Sequence, residues 1–362
     1  PLCPSEASGE GGLTPGVKEA GGTLRPIFIW QGGWHGGAER VTASMAHFLA
    51  NHGFAVTLGV FKRDASVPHQ QITFRHLTFL PRSFRSLAAS LWYQTRYAHD
   101  FPLVYTHTLG AWKTKTNRLF IHEAADLDVK LQQAQGLRRK LAYRLWRWLY
   151  LNLCLKRATA LFAATPECAA YLARQGIPHE RIIPSSSFYD EQVFRFVLRP
   201  APAQTVNIIF IGNYQDPAKN FAVAHAHFHR RPSFTVTVAG GQAQSQDANF
   251  RFLGYLPPSQ LFAELAAAHI FFMPSTSEGF SISLLEALAT GIPCLVSRIA
   301  IPTPLYAIRN IIPYDDDHEI QPAINDIVQH YELYNQPADQ LQRFSQSIVL
   351  QIEYERILNT VS

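Results

Sequence analysis

Residues 278–286 read Glu-Gly-Phe-Ser-Ile-Ser-Leu-Leu-Glu, and this stretch decides the fold of the second half of the chain. The apolar run before it, 270–274, predicts a buried strand, and residues 283–289 have helix formers with helical apolar spacing. The segment is therefore strand, loop and helix, with Glu278 in the loop and Glu286 about two helical turns later. A helix start offers unpaired N–H groups to a phosphate, and a carboxylate can accept hydrogen bonds from a ribose diol. Together these features indicate a site for a nucleotide diphosphate.

The same alternation of strand and helix recurs along the chain. In the first half, strands are expected at 26–30, 55–60, 103–105, 119–121, 160–164 and 182–184. The pattern restarts after a proline-rich linker, with strands at 207–212, 234–241, 251–255, 270–274 and 294–296. Alternating strands and helices predict parallel sheets.

We therefore predict an α/β architecture of two Rossmann-like domains, 25–199 and 200–344, facing each other across a cleft. Ligands of such sheets bind beyond the carboxyl ends of the strands. The last segment, 345–362, is expected to form a helix that packs across the domain junction. Residues 1–24 are rich in Gly, Pro, Ser and Glu, and this composition predicts a disordered leader.

Composition and charge limit the class of protein. The 362 residues are 47% hydrophobic and 16% charged, as in globular proteins. No apolar run approaches the roughly 20 residues that span a bilayer, and the four cysteines lack metal-ligand spacing, so we expect a cytoplasmic protein without a metal site. Residues 1–200 hold 24 Lys/Arg against 13 Asp/Glu, whereas residues 201–362 hold 8 against 14. This asymmetry points to an anionic partner for the first half, and the absence of nucleic-acid motifs favours a membrane surface.

A long helix predicted at 138–157 carries much of that positive charge. At 100° per residue, one face gathers Arg139, Lys140, Tyr143, Arg144, Arg147 and Tyr150. The opposite face holds Leu141, Leu145, Trp148, Leu149 and Asn152. Basic and aromatic side chains together are typical of a membrane interface with anionic lipid. The alternative is an ordinary solvated face of a helix that packs on the core.

Three further segments follow predicted strands and could reach the cleft. The glycine-rich loop that contains Gly36 and Gly37 could approach a phosphate, or could simply be a tight turn. Lys219 could bind a diphosphate as a point charge, although a lone lysine is more often a surface residue. His122 ends a strand whose end should face the cleft, and its alternative is a structural histidine.

Taken together, these residues resemble the retaining GT-B glycosyltransferases of family four, from about residue 26 to the C-terminus. The most specific match is the pair Glu278 and Glu286 with its Gly-Phe and Leu-Leu-Glu-Ala context. The loop 36–40, the pair 240–241 and the segment 252–254 also match. The resemblance implies transfer of a sugar from a UDP- or GDP-linked donor to a glycan or glycolipid acceptor. It further implies retention of the anomeric configuration, and no metal or cofactor.

The resemblance also implies roles for individual residues. Glu286 would hold the donor ribose, and Lys219 would neutralise charge on the leaving diphosphate. Glu278 would hold the sugar, and His122 would bond one of its hydroxyls; with Lys219 these are the implied catalytic residues. The implied donor-binding residues are Gly36, Gly37, Asn213, Lys219, Gly254, Glu278, Gly279, Phe280, Ser281 and Glu286.

The chain departs from the family pattern at two places. Asn213 stands where the family usually has an arginine, so either another cation compensates or donor binding is weaker. The usual Asn-Gly-Val-Asp is replaced at 185–190. Our first interpretation is a glycosyltransferase on the inner face of the membrane, acting on a lipid-linked or lipopolysaccharide/polysaccharide-type acceptor. The alternatives are a soluble acceptor, or a non-catalytic sugar-nucleotide-binding subunit.

Overall fold

The computed structural model describes residues 25–32, 37–60, 72–76, 85–107, 111–115, 117–123, 136–243 and 248–361. Within these ranges the chain forms two parallel sheets, one in each half, which confirms the predicted pair of Rossmann-like domains. The predicted leader at residues 1–24 lies outside the described residues.

The first sheet has seven strands, all paired in parallel, in the order β3-β2-β1-β4-β5-β6-β7. The strands are β1 (Arg25–Gly32), β2 (Phe54–Val60), β3 (Ile72–His76), β4 (Leu103–Thr106), β5 (Arg118–Glu123), β6 (Ala160–Ala163) and β7 (Ile182–Pro184). Helices described in this half are α1 (Gly37–Asn51), α2 (Arg85–Arg96), α3 (Leu137–Leu149) and α4 (Pro166–Arg174). The strand order reverses between β1 and β4, the kind of point at which ligands of such sheets bind.

The second sheet has six parallel strands in the order β10-β9-β8-β11-β12-β13. They are β8 (Val206–Ile211), β9 (Phe234–Ala239), β10 (Phe250–Gly254), β11 (Ile270–Met273), β12 (Cys294–Ser297) and β13 (Ile311–Tyr314). The helices described here are α5 (Phe221–Phe228), α6 (Pro258–Ala267), α7 (Ile282–Ala289), α8 (Ile320–Gln329), α9 (Tyr331–Tyr334) and α10 (Gln346–Val361). In this sheet the order reverses between β8 and β11.

The chain crosses between the two halves twice. On the first crossing, Phe194 packs into the core of the second half, and the buried Arg199 donates hydrogen bonds to the carbonyls of Thr290 and Leu265. The second half therefore already includes residues before 200. On the second crossing α10 returns to the first sheet, where Val349, Leu350 and Ile357 are buried with residues of α1 and β2. The final helix thus brings its side chains to the first domain.

Helix α3 corrects the prediction made for residues 137–157. Regular α-helix ends at Leu149, and a π-helical turn and a 3₁₀ turn continue it to Arg157. Trp146 and Tyr150 stack with ring centroids 5.2 Å apart and pack into the core of the first half. The helix therefore turns the predicted basic and aromatic face inward at Tyr150, where the stacked rings of Trp146 and Tyr150 bury a large apolar area.

The outward face of α3 is instead apolar. Leu137, Leu141, Leu145 and Trp148 are 74%, 53%, 61% and 58% exposed. The two predicted basic residues that do face solvent are Lys140 and Arg144, whereas Tyr143 and Arg147 are half-buried. The side chain of Arg139 lies outside the described residues.

Two further observations concern the cysteines and the apolar character of the helices. The described cysteines, Cys154, Cys168 and Cys294, are free and buried, and burial raises the pKa of the Cys154 and Cys294 thiols. Among the helices that the structure describes, none combines the length and apolar character needed to cross a bilayer.

Candidate active site

The loops that follow β8 and β11 meet at the point where the strand order of the second sheet reverses. The amide of Thr276 donates to the carbonyl of Ala218 at 2.9 Å and ties the two loops together. Lys219 Nζ then lies 2.6 Å from Glu278 Oε1, and Ser275 Oγ donates to the same oxygen at 2.8 Å. Both members of the ion pair are largely sheltered, with Lys219 24% and Glu278 10% exposed. The structure therefore brings two of the three predicted catalytic residues, Lys219 and Glu278, into direct contact.

A short turn fixes the position of Lys219. Asp216 accepts a hydrogen bond from the amide of Ala218 at 3.0 Å and caps the 3₁₀ turn Pro217–Lys219. Asn220 ends this turn with a φ of 50°, in the left-handed region that asparagine tolerates better than most residues. The lysine thus extends from a constrained backbone, which lowers the entropy lost when it holds an anion.

Helix α7 begins directly after the Glu278 loop. Ser281 caps it, its Oγ accepting from the amide of Leu284 at 3.4 Å. Glu286 lies within this helix and is 1% exposed, and in the described structure its Oε2 has no hydrogen-bond partner. Burial raises the pKa of this carboxyl above its usual value, and Arg40 opposes the shift. A buried carboxylate oxygen without a partner is costly, so the site favours a ligand that donates hydrogen bonds to it.

The residues between Glu278 and α7 offer backbone rather than side chains. The ring of Phe280 is buried against Phe344, with the centroids 5.3 Å apart. The side chain of Phe280 is therefore part of the core, and only the amides of Gly279, Phe280 and Ser281 remain for a phosphate.

The first half of the chain contacts α7 through the start of α1. A Cβ added at Gly37 would lie 3.4 Å from Ile282 Cδ1, and Ile282 packs against the buried cluster that includes residues of α1, so the two helix starts lie close together. One turn later the Arg40 guanidinium donates to Glu286 Oε1. Arg40 matched the glycine-rich loop in the sequence but received no role there. Gly36 lies outside the described residues.

Asn213 and Gly254 lie at the margin of this cluster. The Asn213 carboxamide oxygen accepts from the amide of Gln215 at 3.1 Å, so this side chain is turned onto its own loop. Gly240 has a φ of 112°, and a Cβ there would lie 2.6 Å from the carbonyl oxygen of Gly212. The amide of Gly240 donates to Gly254 at 2.6 Å. Because Gly240 has no Cβ, the end of β9 can approach the loop that follows β8. Gly254, at the end of β10, lies on the other side of Gly240.

His122 belongs to a separate buried cluster in the first half. Its Nδ1 lies 2.7 Å from Glu353 Oε1, which also accepts from Ser185 Oγ at 2.6 Å. The second oxygen of Glu353 accepts from the hydroxyl of Tyr105 at 2.8 Å. In a neutral imidazole whose Nδ1–H bonds this carboxylate, Nε2 is an acceptor, and within the described residues it has no partner. The ring of His107 lies 4.5 Å away, and burial lowers the pKa of that imidazole.

Sequence reasoning missed Arg40 and Glu353. Glu353 stands in the run Ile348-Val-Leu-Gln-Ile-Glu-Tyr354, where a carboxylate at an inward position of an amphipathic helix was the available signal. For Arg40, the signal was a cation in the first turn of the helix that follows a glycine-rich loop.

Comparison with known proteins agrees with this geometry. The family model described as "Glycosyltransferase Family 4" matches residues 35–184, and that described as "Glycosyl transferases group 1" matches residues 205–330. A phosphatidyl-myo-inositol mannosyltransferase of Propionibacterium freudenreichii is 34% identical over 97 residues, which are 25% of this chain and 26% of that protein. The match thus spans about a quarter of that relative's own length.

Solved structures resemble this fold over almost the whole chain. Sucrose-phosphate synthase from Thermosynechococcus elongatus has a TM-score of 0.74 at 18% identity, covering 93% of this chain and all (100%) of that one. WaaG, a glycosyltransferase involved in lipopolysaccharide biosynthesis, has a TM-score of 0.71 at 15% identity, covering 91% and 98%. These likenesses show the fold. With both halves matched by glycosyltransferase families and the two sheets arranged as in these enzymes, the chain belongs to the family-four glycosyltransferases of the GT-B fold.

Proposed function

We propose that this protein is a retaining glycosyltransferase that needs no metal ion. It moves a sugar from a nucleotide-diphosphate sugar to a lipid-linked or lipopolysaccharide/polysaccharide-type acceptor at the inner face of the membrane. One observation carries the proposal: the Lys219–Glu278 pair lies where the strand order reverses, beside a helix whose buried carboxylate has one oxygen without a partner among the described residues. A nucleotide-sugar has three parts to be bound: its diphosphate would meet the cation, its sugar one carboxylate and its ribose the other.

The donor would lie along α7. Its ribose hydroxyls would donate to Glu286, its phosphates would meet the amides at the start of the helix, and its sugar would bond Glu278. Transfer breaks the bond between the anomeric carbon and the phosphate oxygen, and the nucleotide diphosphate leaves with the electron pair. The acceptor oxygen attacks on the same face, and its proton goes to the departing phosphate oxygen. Lys219 stabilises the charge that develops there, a role that lowers a barrier more than it tightens binding.

His122 would contact the transferred sugar from the first domain. With Nδ1–H bonded to Glu353, Nε2 can accept a hydrogen bond from a sugar hydroxyl. No proton transfer by this histidine is required, because the leaving phosphate is the base.

The lipid-linked acceptor is supported by the outward face of α3 and by the relatives. Viewed down the axis of α3 at 100° per residue, the exposed leucines, Trp148, Lys140 and Arg144 together lie within an arc of about 140°. Lys140 and Arg144 lie at one edge of this arc. Apolar side chains beside a basic flank are the arrangement of helices that lie in an anionic membrane surface. The names of the mannosyltransferase relative and of WaaG refer to a lipid and to lipopolysaccharide biosynthesis.

The test is a transfer assay with a panel of UDP- and GDP-sugars, with membrane lipid extracts as one acceptor set and soluble glycans as the other. Product NMR would report the anomeric configuration, and EDTA would test metal dependence. The proposal predicts a retained product on the lipid fraction, unaffected by EDTA. Transfer only to soluble glycans favours the soluble-acceptor alternative.

The uncharged Asn213 keeps a non-catalytic subunit as the second candidate. Such a protein would bind nucleotide but would neither transfer nor hydrolyse any donor in the panel. Nucleotide binding without turnover would therefore reject the enzyme and support the binding subunit.

A further inference from the structure

The ion pair between Arg40 and Glu286 joins the two halves of the molecule inside the candidate donor site. Glu286 is 1% exposed, whereas the Arg40 side chain is 36% exposed and reaches the carboxylate from the opposite domain. Only Oε1 of the carboxylate is engaged; Oε2 has no partner within the described structure. Arg40 therefore occupies one of the two oxygens of this carboxylate, whereas a ribose diol would need both.

The position of Arg40 also matches a deficiency of the second domain. A nucleoside diphosphate brings negative charge that the site must neutralise, and Asn213, after β8, offers only an uncharged amide. Lys219 is already bonded to Glu278, so the two charges partly cancel. The donor site as the second domain builds it lacks one positive charge.

Arg40 lies where that charge is needed. It belongs to the first turn of α1. A Cβ added at Gly37, the first residue of α1, would lie 3.4 Å from the side chain of Ile282 at the start of α7. Arg40 thus extends from the first turn of α1 to Glu286 of α7, and the start of each helix presents amides and a positive dipole end. A guanidinium can bond a phosphate through two parallel N–H groups.

We infer that Arg40 is the second cation of the donor site, held on Glu286 in the empty protein and transferred to the donor's diphosphate when the ribose takes that carboxylate. Donor binding then exchanges one interdomain bond for another, and the domains remain closed over the nucleotide. The arginine of the first domain replaces the charge that Asn213 does not supply. This inference rests on the proposed donor site and names a residue that neither the sequence motif nor the family match assigns.

The experiment is calorimetric titration of uridine, UDP, guanosine and GDP into the wild type, Arg40→Gln, Asn213→Arg and the double variant. For the preferred base, Arg40→Gln should weaken nucleoside-diphosphate binding by roughly 10–100-fold, the loss of a charge-assisted contact. Binding of the nucleoside without phosphates should stay equal or tighten, because its ribose no longer competes for Glu286. Asn213→Arg should restore diphosphate binding in the Arg40→Gln background.

The opposite results separate the other roles of this arginine. If Arg40→Gln weakens the binding of nucleoside and of nucleoside diphosphate equally, Arg40 only supports the fold of the site. If the substitution tightens the binding of both, Arg40 competes with the nucleotide for Glu286 and is not a ligand of the diphosphate. Either outcome overturns the inference, as does failure of Asn213→Arg to restore binding. Arg118→Gln is the matched control, an exposed cation of the same domain at the opposite end of the sheet, and should change nothing. A wild type that binds neither diphosphate overturns the inference and the proposed donor site together.

Discussion

At the scale of one residue, Glu286 is a carboxylate that the fold buries at a cost in stability. Burial raises the pKa of this carboxyl, so at neutral pH its charge is held against a solvation penalty that Arg40 offsets only in part. An acid with a raised pKa in the folded protein gains stability as pH falls through that pKa, and loses it as pH rises. A carboxylate kept under such conditions is typical of functional sites.

Glu286→Gln should therefore raise thermal stability at neutral pH and weaken donor binding. The amide removes the buried charge, and with it the charge-assisted bonds from the ribose, so the affinity for the preferred UDP or GDP should fall roughly tenfold or more. Calorimetry at pH 5 and pH 8 and nucleotide titration measure the two effects. A folded variant with unchanged nucleotide affinity, or one equally destabilised at both pH values, would contradict the assignment.

Glu353 is the residue whose replacement should disturb the first domain most. It accepts from His122, Ser185 and Tyr105 at once, and its charge together with burial raises the pKa of the Tyr105 phenol. In Glu353→Gln the amide offers one acceptor oxygen in place of two, so at least one of these three partners loses its acceptor, which should cost about 1–3 kcal/mol of stability.

The specific readout is the tautomer of His122. In the wild type ¹⁵N NMR should report an N–H at Nδ1, and in Glu353→Gln a mixture of tautomers, with turnover falling more than donor affinity. Ser185→Ala removes a different bond to the same carboxylate and should leave the tautomer unchanged. Identical His122 spectra in wild type and Glu353→Gln would show that the carboxylate does not orient the ring.

At the scale of elements, the central strands were predictable, whereas two of the four edge strands were not. Runs such as Ile27–Trp30 are apolar throughout because parallel strands are buried on both faces. The sequence prediction omitted β3 and β13, which lie at sheet edges, and β13 contains Pro313, a residue that sheets accept mainly there. For α3 the sequence revealed two faces but not which one the core would take.

The outward face of α3 gives the prediction for this scale. Replacing Leu141, Leu145 and Trp148 by Gln should reduce binding to vesicles even at low salt, because apolar burial does not depend on ionic strength. Lys140→Gln with Arg144→Gln should reduce binding to anionic vesicles at low salt, since each charge contributes about 1 kcal/mol near the surface.

Co-sedimentation with anionic and neutral vesicles measures both effects. Arg230→Gln with Arg309→Gln removes two exposed charges from the second half and should bind as the wild type does. Equal binding of all variants would remove α3 as the membrane contact.

At the scale of the whole molecule, the cleft is closed by side chains that meet across it. Arg40 bonds Glu286, and the hydroxyl of Thr303 donates to Glu167 at the start of α4. Sequence spacing placed Lys219, Glu278 and Glu286 in one site, because they lie on adjoining loops and one helix of the same sheet. It could not place Arg40 or Glu353, since each meets its partner more than 200 residues away, as Arg40–Glu286 (246 apart) and His122–Glu353 (231 apart) show. Such contacts depend on how the two domains and α10 pack.

Single-turnover kinetics of Lys219→Ala decide whether Lys219 and Glu278 form the reaction centre of a glycosyltransferase. The assay uses the donor and acceptor found for the wild type, with donor affinity measured by titration in parallel. If Lys219 stabilises the leaving diphosphate, the transfer rate should fall roughly 100-fold or more while donor affinity falls about tenfold or less, because the lost interaction is made chiefly in the transition state. A transfer rate in Lys219→Ala equal to that of the wild type would contradict the account.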